Sequence, residues 1–233
     1  MLSMAIMHGA FNERRRACVE GLVRKIGVKQ IQDLLFDFTV VQDWHKQGPW
    51  PVARECWTRA LESSGSHHLV LQDDATICED FLEGCLALIA AKPDNPISLY
   101  SNRKICEKAK AEDARWVMIP DGTWGVAMIL PKSLITEFLD WSDRHIHPTF
   151  RPYDSRLAMF CVKQKIEVFC PTPSLADHEG HAPSLIGNDR TPRSRTARWF
   201  IGGQSPLDLD WKGGKELRGP NNLSSTYWKH YRD

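Results

Sequence analysis

The chain has 233 residues, 42% of them hydrophobic, with 30 lysines and arginines against 29 acids and a formal net charge of +1. That length and apolar fraction exclude a disordered or fibrous chain and allow one large α/β domain with an appended segment, while the balanced charge argues neither for nor against a polyanionic partner. Seven cysteines, an odd number with no Cys-x-x-Cys pair, argue against a disulfide framework or a zinc ribbon. Met1–Met7 has no basic leader and no apolar run reaches the roughly 20 residues that span a bilayer, so a soluble, cytoplasmic protein without a membrane span is expected.

In chain order, Leu2–Met7 reads as a strand ending at His8-Gly9, and the segment from Asn12 carries Ala17, Leu22 and Val23 among basic residues, as an amphipathic helix does. Phe38–Gln42 is a second strand. After Gly48-Pro49-Trp50, Pro51 opens a helix through Glu62 with Val52, Cys56 and Ala60 on one face. Ser63–Ser66 is turn chemistry, and Leu69–Leu71 is a third strand that runs into Gln72-Asp73-Asp74 and then a helix carrying Phe81, Leu82, Cys85, Leu86 and Ile89. Ile97–Tyr100 is a fourth strand. The alternation β-α-β-α-β-α-β predicts a mostly parallel sheet. Beyond the polar segment Lys104–Arg115, Trp116–Ile119 and Trp124–Leu130 around Pro120-Asp121-Gly122 predict a hairpin or flap. Helices are expected after Pro131 and over Tyr153–Gln164, then a last strand at Ile166–Cys170. Pro171–Asp233, rich in Pro, Gly, Ser and Arg, reads as loop, lid or tail.

The chemistry concentrates at Asp73-Asp74. In open α/β sheets ligands sit outside the carboxyl ends of the strands, where these acids project. Adjacent carboxylates repel each other unless a cation or hydrogen bonds offset the charge. Three roles fit: cap on a following helix, ligand of a divalent cation, or carboxylate nucleophile.

Leu69-Val70-Leu71-Gln72-Asp73-Asp74 resembles the strand-plus-acid DXD signature of nucleotide-sugar glycosyltransferases of the GT-A fold, whose usual forms end in Asp-Asp-Asp or Glu-Asp-Asp. The resemblance implies Asp74 as metal ligand, Asp73 as a nucleotide or sugar contact, and Gln72, here in place of an acid, as an uncharged ribose contact. Gly48-Pro49-Trp50-Pro51-Val52-Ala53-Arg54 resembles the family-2-type donor element. It implies Arg54 as a diphosphate contact, its plain alternative being a solvated helix arginine. His8, at the end of the first strand, joins the donor contacts. Trp124-Gly125-Val126-Ala127 resembles the segment beneath the acceptor, where the glycine admits the sugar and Trp124 stacks on it, although a Trp at a strand start is as often core. Asp154 stands where inverting members carry a general base, and a plain helix cap is the alternative. Pro173-Ser174-Leu175-Ala176-Asp177-His178-Glu179-Gly180 resembles a late element whose histidine completes the metal site, implying His178, with His181 as second choice.

Over residues 2–187 these motifs keep the family's order. They imply a GT-A domain: an α/β, Rossmann-like three-layer sandwich with a mostly parallel central sheet. They also imply Mn²⁺ or Mg²⁺, a nucleotide-sugar donor and inverting transfer to a hydroxyl. Residues 188–233 are expected to form a basic, aromatic C-terminal lid or tail. Its Arg190, Arg193, Arg195 and Arg198 would meet the donor diphosphate or nucleic-acid phosphates, with Trp199, Trp211, Tyr227, Trp228 and Tyr231 nearby. The acceptor would be a hydroxymethylated pyrimidine in DNA, as for viral DNA-modifying glycosyltransferases acting in the host cytoplasm, or a surface polysaccharide. A nucleotidyltransferase is an alternative, which wants a Gly-rich, lysine-bearing loop where His8-Gly9-Ala10-Phe11-Asn12 stands. A non-catalytic nucleic-acid-binding module is another, which leaves the adjacent acids without a role.

Overall fold

The computed structural model describes residues 1–119, 125–178, 195–220, 223 and 225–232, apart from the side chains at 28–30 and 36. Its strands are β1 (Leu2–His8), β2 (Leu35–Gln42), β3 (His67–Gln72), β4 (Ala75–Ile77), β5 (Ile97–Ser98), β6 (Trp116–Ile119), β7 (Ala127–Pro131), β8 (Val168–Pro171), β9 (Ala176–His178) and β10 (Glu216–Arg218). Its helices are α1 (Glu13–Ile26), α2 (Val28–Leu34), α3 (Pro49–Glu62), α4 (Phe81–Ala91), α5 (Ile105–Ala111), α6 (Lys132–His145) and α7 (Tyr153–Gln164).

Eight strands form one sheet in the order β10-β6-β8-β5-β7-β3-β1-β2. β2, β1 and β3 are parallel neighbours, β7 runs antiparallel to both β3 and β5, and β5 is again parallel to β8. The expected α/β class with a mostly parallel central sheet is the observed one. β1 and β3 are buried along almost their whole length because helices cover both faces, which is why they read as unbroken apolar runs. Alternate residues divide between two cores. Leu2, Met4, Ile6, Leu69 and Leu71 pack with α1 and α4, whereas Ala5, Met7 and Val70 pack with Trp50, Trp57, Phe138 and Phe160 on α3, α6 and α7. A smaller cluster joins α5 to β6 and β8 through Cys106, Ala109, Val117 and Cys170.

Local chemistry sets the helix ends nearest the site. The Asn12 side chain accepts the Arg15 N–H at the start of α1, and Gly27, at φ 84°, ends it in a conformation that suits glycine. Gly48, at φ 100°, turns the chain into the proline-led α3.

Two expectations are corrected. Trp116–Ile119 and Trp124–Leu130 do not form a hairpin: β6 pairs with β8 and β10, β7 pairs with β3 and β5, and two strands lie between them. Apolar strands at a loop read locally as a hairpin, but the buried centre of the sheet claims β7. The acids do not lead directly into a helix, since β4 intervenes and pairs antiparallel with β9. The described chain from residue 195 onward packs in part on the rest of the fold. β10 is a sheet strand, Ile201 and Trp211 are buried, and Pro206 lies so close to Gly84 of α4 that a Cβ there would overlap it.

All seven cysteines are free thiols, and all but Cys18 are buried. Among the described residues no helix is long and apolar enough to cross a membrane.

Candidate active site

The site lies at the carboxyl ends of β1, β2 and β3. Parallel pairing sets Met7 beside Gln72 and brings the β1–α1 turn over the acids. The Asp73 N–H donates to Met7 O at 3.1 Å, and the Gln72 N–H donates to Val126 O at 2.8 Å, so backbone bonds on both sides fix the acid turn.

Both carboxylates point inward, Asp73 at 4% and Asp74 at 2% exposure. Asp73 accepts from His8 Nδ1 at 3.0 Å, from the Gly9 N–H at 2.8 Å and from Arg15 Nη1 at 2.7 Å. Arg15 Nη1 also lies 2.7 Å from Asp74 Oδ2, so one buried guanidinium bridges the pair. Asp74 Oδ2 further faces His178 Nδ1 at 3.4 Å and Arg195 Nη2 at 3.3 Å, and that Nη2 is 3.3 Å from His178 Nδ1. Burial pushes the Asp74 carboxyl up, but the His178 and Arg15 contacts outweigh it and hold the group at about 2. Two carboxylates therefore face two guanidiniums, and the repulsion between neighbouring acids is offset from within the chain.

His178 reaches this point through the β4–β9 ribbon, whose register sets Ala75 opposite His178. Tyr100 packs edge-on against the imidazole with ring centroids 5.5 Å apart, and its hydroxyl donates to Arg195 O. Asp177 accepts the N–H groups of Ala197 at 2.6 Å and His178 at 2.7 Å, tying the segment that carries Arg195 to the ribbon. Burial raises the Asp177 carboxyl above its usual range, against the pull of those two bonds.

On the other side of the acid turn, Gln72 Nε2 donates to the Tyr153 hydroxyl at 2.8 Å, and that hydroxyl donates to Gly125 O. The Tyr153 ring fills the space above Gly125, so a Cβ there would overlap it. The glycine thus admits a tyrosine of the chain itself, where the family resemblance puts a sugar. Asp154 follows on the first turn of α7 and accepts the Ser155 N–H at 2.7 Å. Desolvation raises its carboxyl above the usual range in spite of that bond.

Other expected residues lie elsewhere. Arg54 is exposed on α3 and pairs with Asp143 of α6 at 2.7 Å, a surface ion pair. Arg198 pairs with Glu107 at 3.4 Å and donates to Asn102 O. Trp124, His181, Arg190 and Arg193 lie outside the described residues.

No known family model matches this chain, and no curated protein does either.

Arg15 and Tyr153 are not evident as site residues from the sequence, yet a signal for Arg15 is present there. With Val19, Leu22 and Ile26 it forms the buried stripe of α1 at helical spacing, and an arginine on an apolar stripe needs a buried partner. Among the described residues no three His, Cys, Asp or Glu side chains form a metal cage. Asp74 Oδ2 and His178 Nδ1, a hard oxygen and an imidazole nitrogen 3.4 Å apart, are the pair of the chemistry a divalent cation takes, and Arg195 Nη2 lies 3.3 Å from each.

Proposed function

We propose that the chain is a glycosyltransferase that moves a sugar from a nucleoside-diphosphate sugar to an acceptor hydroxyl, with inversion and with Mn²⁺ or Mg²⁺ bound. The observation that carries this reading is the convergence of Asp74 and His178, 104 residues apart in sequence, at the carboxyl end of β3. Asp74 and His178 would hold the cation. When bound it supplies positive charge to the departing diphosphate.

The chain's own residues supply the rest. Arg15, His8 and the Gly9 N–H hold Asp73 in one orientation at the carboxyl end of β3, where it would accept a hydrogen bond from the donor's ribose or sugar. Arg195, whose Nη2 faces Asp74, would be the cation that meets a phosphate oxygen. Asp154, its carboxyl raised by burial, is the stronger base for it and takes the proton of the acceptor hydroxyl. The acceptor oxygen attacks the anomeric carbon from the face opposite the diphosphate. The new C–O bond forms as the bond to the diphosphate breaks, and the diphosphate leaves with that electron pair.

A thermal-shift panel of nucleotide sugars with and without Mn²⁺ tests this. One donor should raise the melting temperature only when Mn²⁺ is present, because a ligand of the folded state alone stabilises it. Asp74→Asn and His178→Ala should each abolish that shift while the chain stays folded. A donor shift that is indifferent to Mn²⁺ and to both substitutions would refute the assignment.

A further inference from the structure

The β2–α3 loop presents a surface that the transfer chemistry leaves unused. Trp44, at 51% exposure, is the one exposed tryptophan among the described residues. The guanidinium of Arg16 lies 5.9 Å from the centre of its ring, and Lys46 Nζ lies 5.3 Å from that of Phe11. Arg151 packs over Gly48 at the other end of the loop, with Cδ and Nη1 each 3.4 Å from where a Cβ would stand. Arg14 and Arg16 flank Arg15 on α1: Arg15 turns inward to the acids and its neighbours are exposed.

The loop is prebuilt. The buried Asp43 carboxylate accepts the N–H groups of His45 and Gln47 at 3.1 Å and of Gly48 at 3.3 Å, and Lys46 is held at φ 55°. The Asp43 N–H donates to His8 O at 2.7 Å, and the Phe11 N–H donates to Asp43 O at 3.2 Å. The loop is thereby joined by backbone bonds to the turn that holds Asp73. Arg14, Arg16, Lys46 and Arg151 have no ion-pair partner among the described residues, and the nearby exposed acids Glu13 and Glu20 pair with none of them.

We infer that this face binds a single-stranded segment of nucleic acid, with a base stacked on Trp44 and phosphates on Arg16, Lys46 and Arg151. An exposed aromatic on a rigid loop can stack on a base or on a sugar, but three unpaired cations have nothing to neutralise in an uncharged glycan. Because the loop is bonded to the β1–α1 turn that holds Asp73, a strand held here lies beside the candidate active site. As the acceptor surface of that site, the assignment rests on the transferase proposal; as a nucleic-acid surface it stands apart from it.

Fluorescence anisotropy with a labelled 20-nucleotide single strand, at several salt concentrations, tests it. Trp44→Ala should weaken binding about fivefold or more. Arg16→Glu with Lys46→Glu should weaken it at least about tenfold and flatten the salt slope by roughly 0.7 for each phosphate no longer neutralised. Neither change should alter the Mn²⁺-dependent thermal shift with a nucleotide sugar. Strand binding that survives these substitutions, an absence of binding, or equal affinity for an acidic polysaccharide with no effect of Trp44→Ala would overturn the proposal. Strand binding abolished by substitution in a protein that no nucleotide sugar stabilises would keep the surface and sink the transferase.

Discussion

Arg15→Met tests the electrostatic core of the site most directly. Arg15 Nη1 lies 2.7 Å from an oxygen of each acid, and all three side chains are nearly inaccessible. At an effective dielectric of about 20, a contact of that length is worth about 6 kcal/mol before desolvation, which cancels most of it. Removing one partner from a buried pair costs about 3–5 kcal/mol, because a charge is left without compensation. Asp73 retains His8 and the Gly9 N–H, and Asp74 retains His178 and Arg195, so the loss should fall near 3 kcal/mol. In urea at neutral pH that is a drop of about 1 M in the unfolding midpoint for a chain of this size.

The pH dependence gives the stricter check on this substitution. In the native chain Asp74 sits at about 2, below its ordinary 3.8, so its contribution is present above about pH 4 and is lost as the pH falls toward 2. Without Arg15, burial that pushes Asp74 upward is opposed chiefly by His178, so the carboxyl rises from about 2, and the variant's deficit shrinks on acidification as that carboxyl takes up a proton before the native one does. Equal midpoints at pH 7, or a gap that does not narrow on acidification, would refute the argument. Arg15→Lys, which keeps the charge, should recover part of the loss.

The buried His68 bonds to Ser3 Oγ at 2.8 Å and is held near 4 by burial, below its ordinary 6.5. The unfolded chain therefore takes up the proton first, and stability should fall by about 2 kcal/mol between pH 7 and 5, with the imidazole still neutral at pH 5 by NMR. Gly125→Ala should displace the Tyr153 ring at a cost of about 1–3 kcal/mol, read as a fall of roughly 2–4 °C in Tm per kcal/mol. Arg195 Nη2 contacts the same two atoms proposed to hold the cation, so Arg195→Met should tighten Mn²⁺ binding in calorimetry; unchanged or weaker binding would show that the two do not compete.

Much of the sheet was legible because β1 and β3 are short, apolar and bounded by turn residues, and burial on both faces leaves that signature in one dimension. The pairing partners were not legible. Nothing local to Trp116–Ile119 says that its neighbour is Val168–Pro171 instead of the strand that follows it in sequence. Within the site, Asp73 and Asp74 announced themselves as adjacent acids at a strand end, and the structure puts His8 and His178 beside them. Arg54 sits on a motif that looks right, but its side chain leaves the helix toward α6 and meets Asp143, a direction that spacing alone does not give. Tyr153 was invisible as a partner of Gln72, since the contact spans 81 positions and depends on the absence of a Cβ at Gly125.

The two guanidiniums that neutralise the acids belong to different stages of the chain. Arg15 is 58 positions from Asp73, within the first three sheet strands, whereas Arg195 is 121 positions from Asp74 and arrives with the last quarter of the sequence. As the chain emerges from the ribosome, β1, α1 and β3 can close around a partly neutralised Arg15–acid knot long before β9 is made. Arg15 bridges Asp73 and Asp74 from the N-terminal part of the chain and leaves one face of Asp74 for His178 and Arg195 to complete.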